Sequence, residues 1–181
     1  AMLPMASSDG NGMVIYLGKL GQSLFPSFQT GFVIAPENLI SEAKNYLQLL
    51  DEQGDLIQQQ MLSELINEGE IYRLMKKNIV IYKQRQVYLC QLLKKHFYEI
   101  AQWEIPSGGL AVWLQFQPKI SLVKLAKEAE EHHLFLPKTI LYQDINTCAV
   151  RFGFGHLDIK ELEIVIQKLK SAYNNVIITK L

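Results

Sequence analysis

An arginine late in the chain is the first side chain whose type and setting could do chemistry. Arg151 belongs to a short apolar stretch that is predicted to form a strand from Thr147 to Phe152. Its guanidinium is planar and can donate two parallel hydrogen bonds to a carboxylate. From the residue alone two interpretations stay open, which are recognition of a carboxylate ligand and an ion pair with a nearby acid at a strand end.

Two other residue pairs favour structural explanations. Gly108-Gly109 predicts a tight turn that positions a strand, because glycine adopts backbone conformations closed to other residues. His132-His133 lies at a predicted helix end without a partner at metal-ligand spacing, which favours a solvated cap over a metal site. No glycine-rich phosphate loop, H-E-x-x-H pair or nucleophile elbow occurs. The sequence therefore offers neither a metal site nor a rival catalytic centre.

Charge and composition limit the possible partners. The 181 residues include 18 basic and 18 acidic side chains, so the long-range field that attracts nucleic acid is missing and the chain should not bind DNA by itself. No apolar run approaches the roughly 20 residues that span a bilayer. Cys90 and Cys148 lack C-x-x-C spacing and are expected to be buried thiols, which fits a cytoplasmic protein.

The first half of the chain predicts strands followed by helices. Met13 to Gly18 should be a fully buried strand and Phe32 to Ala35 a second one. Pro36 should begin an amphipathic helix, which is indicated by the spacing of Leu39, Ile40, Ala43, Tyr46, Leu47 and Leu50. Gly54-Asp55 separates it from another helix, and after Gly69 a long helix follows, of the kind that usually bridges two layers or domains.

The second half predicts a smaller α+β unit. The expected elements are strands at Trp103 to Ile105, Leu110 to Phe116, Leu134 to Leu136 and Thr147 to Phe152, and a helix from Ser121 to Glu131 with Ser121 as its N-cap. Asp158 should cap the last helix, with Ile159, Leu162, Ile166 and Leu169 inward. Val176-Ile177-Ile178 could add an edge strand.

Four motifs, in this order along the chain, resemble the aminotransferase-like domain of MocR-type regulators in the GntR family. Val14 to Phe32 resembles V-I-Y-x-G-T-F-S-K-S-L-x-P-x-x-R-x-G-Y, and residues 54–70 resemble G-D-x-I-x-x-x-x-L-x-x-x-I-x-x-G-E. Ile105 to Trp113 resembles P-x-G-G-hydrophobic-x-x-W, and Val150 to Leu157 resembles L-R-L-G-F-A-x-L. The resemblance covers nearly the whole chain.

The resemblance implies a site in which the chemistry has been lost. Gln22 stands at the position of the lysine that forms the Schiff base with pyridoxal 5'-phosphate (PLP), and an amide can neither attack an aldehyde nor shuttle a proton. Lys19 replaces a phosphate-binding Thr or Ser, Gly21 a Ser, and Gln29 the phosphate-clamping arginine. Lys19 lies three residues from the lysine position, so it is not expected to supply the missing amine. Arg151 matches the arginine that binds the substrate carboxylate.

The implied fold is α/β, the C-terminal portion of a PLP-dependent transferase of fold type I. Residues 1–66 would end the sheet of the large domain, and residues 67–181 would be a long linking helix and a small α+β domain with a mainly antiparallel sheet. By this resemblance the chain begins just before the strand that precedes the cofactor lysine. The winged helix, the acid that pairs with the pyridine nitrogen and the aromatic residue that stacks on the cofactor would lie upstream of Ala1.

Two hypotheses about function follow. The preferred one is a non-catalytic fragment or degenerate effector and dimerisation domain of a MocR-type regulator. It is expected to hold no PLP, to bind an amino-acid-like ligand through Arg151, to form a homodimer or associate with the missing large domain, and to reach DNA only through the winged helix of the parent. The alternative is a PLP-dependent aminotransferase that is completed by parts of a longer protein.

Overall fold

The computed structural model describes residues 3, 5–19, 30–117 and 119–178. It divides the chain into two compact units, Ala1–Ile79 and Val80–Leu181, and the division falls inside a long helix. The predicted division into domains after residue 66 stays a prediction.

The first unit holds a two-stranded antiparallel sheet of β1 (Tyr16–Lys19) and β2 (Gly31–Ile34), followed by α1 (Glu37–Leu49) and α2 (Leu56–Asn67). As predicted, Pro36 is the residue before α1, and Gly54-Asp55 separates α1 from α2. The Asp55 carboxylate also caps α2 by accepting from the Gln58 backbone amide at 3.0 Å. Gly69, with a φ of +75°, separates α2 from α3 (Glu70–Phe97).

The prediction of a fully buried strand from Met13 to Gly18 is wrong. The strand begins at Tyr16, and the side chains of Ile15 and Leu17 are 54% and 72% exposed. The amphipathic helix predicted after Pro36 forms as α1, but none of its residues is buried. The strand therefore starts three residues later than predicted, and the described part of the first unit leaves apolar side chains of β1 and α1 partly or largely exposed.

The second unit is built on a four-stranded antiparallel sheet of order β3-β4-β6-β5, formed by β3 (Ala101–Glu104), β4 (Ala111–Phe116), β5 (Leu141–Gln143) and β6 (Cys148–Gly153). Two further helices are α4 (Leu122–Glu131) and α5 (Ile159–Ile178). Alternate strand residues such as Val112, Leu114 and Val150 form one core with residues of α3, α4 and α5, including Leu93, Leu125 and Ile166. One face of the sheet is therefore covered by helices, as alternation along a strand allows.

Both helix caps predicted in this unit are confirmed. The Ser121 hydroxyl accepts from the Lys124 amide at 3.3 Å. Asp158 and Glu161 form a reciprocal capping box, in which the Glu161 amide donates to Asp158 Oδ1 at 2.8 Å and the Asp158 amide to Glu161 Oε2 at 2.7 Å. Ile159 is an exception to the predicted inward face of α5, because its side chain is 46% exposed, whereas Leu162, Ile166 and Leu169 are buried.

Two strand predictions are wrong. Residues 134–136 form no strand, because the Leu134 amide closes the end of α4 by donating to the Ala129 carbonyl and Leu136 enters the core as a single anchor. A one-turn 3₁₀ helix at Lys138–Ile140 then leads into β5, which the sequence analysis missed. Val176 to Ile178 belong to α5, where Val176 continues the buried side of the helix.

Candidate functional site

The candidate site is the face of the second sheet that the helices leave open. Side chains alternate along β4 and β6, so that Val112 and Val150 enter the core whereas Trp113 and Arg151 point to the opposite side. We call this side the open face. Its larger described side chains are Gln102, Glu104, Trp113, Gln115, Tyr142 and Arg151.

Arg151 is the fourth residue of β6 and lies inside the strand, not at its end. Its side chain is exposed, and no described residue forms a hydrogen bond or an ion pair with the guanidinium. An ion pair elsewhere in the described structure joins Arg73 to Glu70 in α3. The alternative raised above, an arginine engaged by a nearby acid, thus has no counterpart in the described structure, and all five N–H donors of Arg151 are available to a ligand.

A row of three side chains crosses the open face at the level of Arg151. Trp113 in β4 is paired directly with Arg151 in β6 on one side and with Glu104 in β3 on the other. Directly opposed residues have Cβ atoms about 4.5–5.5 Å apart, so these three side chains are neighbours. The row therefore presents an acid, an indole and a guanidinium in that order.

An aromatic pair lies beside this row. The rings of Trp113 and Tyr142 have centroids 4.6 Å apart and are inclined at 52°, and both side chains are 39% exposed. Ala149, which is opposite both Tyr142 and Gln115, is fully buried beneath this part of the face. Sequence reasoning missed Glu104, Trp113 and Tyr142 as site residues. The apolar alternation of Val112, Leu114 and Phe116 is a signal that Trp113 faces away from the core, but the neighbours of Trp113 depend on cross-strand register.

Helix α3 fixes the loops at one end of the site. Gln86, a buried polar residue, donates from Nε2 to the Pro106 carbonyl at 3.0 Å, and Arg85 Nη1 donates to the Gly155 carbonyl at 2.5 Å. Gly109 has a φ of +83°, as expected for the predicted turn before β4. These contacts hold the start of β4 and the end of β6, and so define where Arg151 stands.

A depression of about 970 Å³ runs along the β3 side of the sheet. Glu104 and Trp113 line it from the open face, and Lys94 and Tyr98 line it from the end of α3 and the residues just after it. The acid of the row therefore borders a concave surface large enough for a small organic molecule.

The residues matched to the cofactor site are only partly described. Lys19 is the last residue of β1, opposite Gly31, and its side chain is exposed. Gly21, Gln22 and Gln29 lie outside the described residues. At the far end of that segment the Thr30 hydroxyl donates to Gln58 Oε1 in α2 at 2.8 Å.

The histidine pair and the cysteines occupy structural positions. His132 is the C-cap of α4, and its Nε2 lies 3.4 Å from Asn175 Nδ2. Cys148 is buried and donates to the Ile120 carbonyl at 3.3 Å, whereas Cys90 is half-buried and desolvation raises its thiol pKa. Within the part of the chain that is described, no group of three or more potential metal ligands occurs, and no helix has the length and apolarity needed to cross a membrane.

Comparison with known proteins identifies relatives of two kinds. The chain is 25% identical over 166 residues to the HTH-type transcriptional regulator YdfD of Bacillus subtilis, which covers 92% of this chain and 34% of the regulator. It is 28% identical over 155 residues to an aminotransferase of Saccharolobus solfataricus, covering 83% of this chain and 39% of that protein. The chain thus spans little more than a third of the length of these relatives. No protein-family model matches it.

Solved structures agree on the fold. An archaeal alanine:glyoxylate aminotransferase matches 96% of this chain and 44% of its own, with a TM-score of 0.80 and 22% identity. The α-aminoadipate aminotransferase LysN of Thermus thermophilus, solved with N-(5'-phosphopyridoxyl)-L-leucine, matches 91% of this chain and 43% of its own, with a TM-score of 0.75 and 20% identity. The chain therefore has part of the fold of the PLP-dependent aminotransferases, fold type I.

Proposed function

We propose that this chain, which matches the C-terminal part of the aminotransferase-like domain of MocR-type regulators, is a non-catalytic effector-binding and dimerisation domain of such a regulator. Regulators and aminotransferases among the relatives support an aminotransferase-like domain. The main structural support for effector binding is the Arg151 guanidinium, which is exposed on the open face and has no partner among the described residues.

The residues at the cofactor positions do not fit PLP. The cofactor needs a primary amine for its covalent bond and cationic or hydroxyl donors for its phosphate. The matched positions hold Gln22, Gly21 and Gln29, none of which supplies these groups. Lys19 matches a phosphate-binding position and offers one cationic donor there, but it ends β1, three residues before the position of the Schiff-base lysine. The proposed function therefore includes no chemical step on PLP.

In this proposal the chain has lost catalysis but still binds a carboxylate through Arg151. An unpaired arginine that faces away from the core can bind a carboxylate through two parallel N–H···O bonds, and neither bond requires a bound cofactor. The ligand proposed is a small amino-acid-like molecule. Its binding energy would be available to bias the arrangement of a larger regulator, as effector binding does generally.

Chemical trapping tests the absence of the covalent site. The protein is incubated with PLP, reduced with borohydride and digested, and the peptides are examined by mass spectrometry. We expect no lysine to carry a stoichiometric pyridoxyl group, and an adduct on Lys19 at one per chain would overturn the proposal. A PLP-dependent aminotransferase treated in parallel shows that the trapping works.

Restoring the missing lysine tests whether one residue or a whole site has been lost. Gln22→Lys returns the amine, but Gly21 and Gln29 still leave the phosphate without a hydroxyl donor and a charged clamp. Charge-assisted hydrogen bonds of this kind contribute roughly 1.5–3 kcal/mol each. We expect no saturable visible absorption band at micromolar PLP, and a band that titrates to one site per chain would show that the phosphate-binding residues are intact.

The alternative function is a PLP-dependent aminotransferase that other parts of a longer protein complete. The Saccharolobus relative and the solved aminotransferases favour it, and the chain spans little more than a third of those proteins that resemble it in sequence. The two functions differ in what the longer protein would do. Amino-group transfer by the full-length parent would support the enzyme, whereas specific DNA binding without transfer would support the regulator.

Partners and location follow from the same proposal. The balanced charge of the chain leaves DNA binding to a winged helix in the parent, and a second copy of the chain or the large domain is the proposed protein partner. Two free cysteines fit a reducing compartment such as the cytoplasm.

A further inference from the structure

Glu104 stands on the open face at the same level as Arg151, separated from it by a single side chain. Trp113 is the cross-strand partner of both, so the three residues lie on adjacent strands β3, β4 and β6. The Glu104 side chain is exposed, and no described residue forms a hydrogen bond or an ion pair with its carboxylate. Two opposite charges thus face solvent side by side without partners in the described structure.

Trp113 of β4 is the residue between these charges, but its indole leans across β6 toward β5, where its ring centroid lies 4.6 Å from that of Tyr142. The ring therefore stands beside the line that joins Glu104 to Arg151 and does not fill the space between them. The backbones of Glu104 and Arg151 are about 9.6 Å apart, which is two strand spacings. A molecule lying beside the indole could meet both charges at once.

We propose that Glu104, Trp113 and Arg151 form a recognition row for a zwitterionic ligand, in which Arg151 binds the carboxylate and Glu104 binds the ammonium group. The inference rests on the proposed function of Arg151 as the carboxylate-binding residue. It adds a residue that binds the ammonium group of the same ligand. Trp113 provides an apolar surface beside the carbon chain, since it lines the same depression as Glu104. Glu104 would hold the amine by charge alone, without the covalent bond that a Schiff-base lysine makes.

The arrangement of the row favours a ligand whose two charges are well separated. Glu104 and Arg151 lie on strands with β4 between them, so their charged groups start from backbones about 9.6 Å apart. In an α-amino acid the amine and the carboxyl group are attached to one carbon and lie close together. An ω-amino acid places them further apart, so β-alanine is the probe and glycine is the comparison.

Binding is measured by NMR titration of the whole chain, following the indole N–H of Trp113. The probes are β-alanine, propanoate, which lacks the amine, and propylamine, which lacks the carboxylate. We expect β-alanine to bind more tightly than either single-charge analogue and more tightly than glycine. Glu104→Gln should weaken β-alanine about three- to fivefold, as for an exposed ion pair, and leave propanoate unchanged. Glu130→Gln, which removes an exposed acid from α4, is the matched control and should change neither.

Exchanging the charges of Glu104 and Arg151 gives a second test, in which binding is expected to be restored and not only weakened. Glu104→Arg or Arg151→Glu alone places two like charges on the row and should abolish binding of β-alanine, whereas the double exchange should restore it with the ligand reversed. Failure of the double variant to bind, with a folded spectrum, would refute the row.

The outcomes separate this inference from the function on which it rests. If propanoate binds through Arg151 but β-alanine binds no better, and Glu104→Gln has no effect, the row is wrong and the carboxylate site stands. If neither probe shifts the Trp113 signal at millimolar concentration, both the row and the Arg151 site are wrong.

Discussion

The two units of this chain differ in how they use their apolar residues. In the second unit three helices and a four-stranded sheet bury one core, in which Leu89, Leu93 and Phe97 of α3 are fully enclosed. In the first unit, by contrast, the buried apolar residues described are Leu62 and Ile71, while Leu17 and Leu49 are 72% and 81% exposed. An apolar pattern therefore indicates that a segment can pack against other apolar surfaces. Among the described residues, most of this packing occurs in the second unit.

The contrast predicts that the same substitution has very different effects in the two units. Leu93→Ala removes a fully buried side chain and should cost about 2–5 kcal/mol of unfolding free energy, because it leaves a cavity. Leu49→Ala removes an exposed one and should change it by less than about 0.5 kcal/mol. Urea unfolding followed by circular dichroism measures both. Comparable losses would show that the first unit is packed in solution by contacts absent from this structure.

The exposed apolar side chains of the first unit also predict association. Both strands of its two-stranded sheet are edges, and Leu17 and Val33 are more than half exposed. We expect light scattering to show dimers or larger species at tens of micromolar, roughly where such association is populated.

Leu17→Lys tests which surface associates. Burying a leucine contributes about 1.5–3 kcal/mol, so the substitution should weaken a dimer by at least about tenfold in Kd. Val123→Lys, at an apolar residue of α4 that is 73% exposed, is the control and should leave association unchanged. A clean monomer of the parent chain at these concentrations, or equal effects of both variants, would contradict the prediction.

Helix caps allow a finer comparison, because the two units use the same device. Asp158 caps α5, whose Leu162 and Ile166 lie in the core, whereas Asp55 caps α2, in which the one buried residue described is Leu62. Asp158→Ala should lower the global unfolding free energy by about 1 kcal/mol. Asp55→Ala should instead increase local hydrogen exchange near Gln58 and have a smaller global effect. Equal global losses would mean that both units unfold as one cooperative structure.

Local signals explain how much of the fold could be predicted. Helices α4 and α5 are predicted by apolar spacing together with the caps Ser121 and Asp158, and α2 by apolar spacing after the Gly54-Asp55 separator, because these signals act within a few residues. Strand β5 was missed because it has three residues and exists through its pairing with β6. The strand predicted at residues 134–136 is wrong because a β-type composition also suits an extended segment that inserts one apolar side chain into the core.

The candidate site was predictable only in part for the same reason. Arg151 could be singled out because its side-chain chemistry and its motif are both local. Glu104 and Trp113 could not, because they are brought beside Arg151 by the register of three strands. Register is fixed by the whole core and by the contacts of Gln86 and Arg85 with the flanking loops, which no single segment of sequence contains.

The smallest effect expected concerns two aspartates that close turns, one in each unit. Asp144 accepts from the Asn146 and Thr147 amides at 2.6 Å in the β5–β6 turn, and Asp9 accepts from the Val14 amide at 2.6 Å before β1. In both, hydrogen bonds from backbone amides hold the carboxyl pKa below its ordinary value of 3.8.

The sign of the pH dependence follows from these lowered pKa values. A carboxyl group whose pKa is lower in the folded state favours folding above its unfolded pKa, and this contribution is lost as pH falls through the folded value. The hydrogen bonds of both turns should therefore be stable near neutral pH and weaken below about pH 4, where the aspartates become protonated. Because the core lies behind β6, we expect the Thr147 amide to stay protected after the Val14 amide has begun to exchange. Amide exchange measured between pH 5 and pH 2.5 tests this, with Asp144→Asn abolishing the pH dependence at Thr147 alone. Loss of protection at both amides together would contradict the separation of the two units on which the comparison depends.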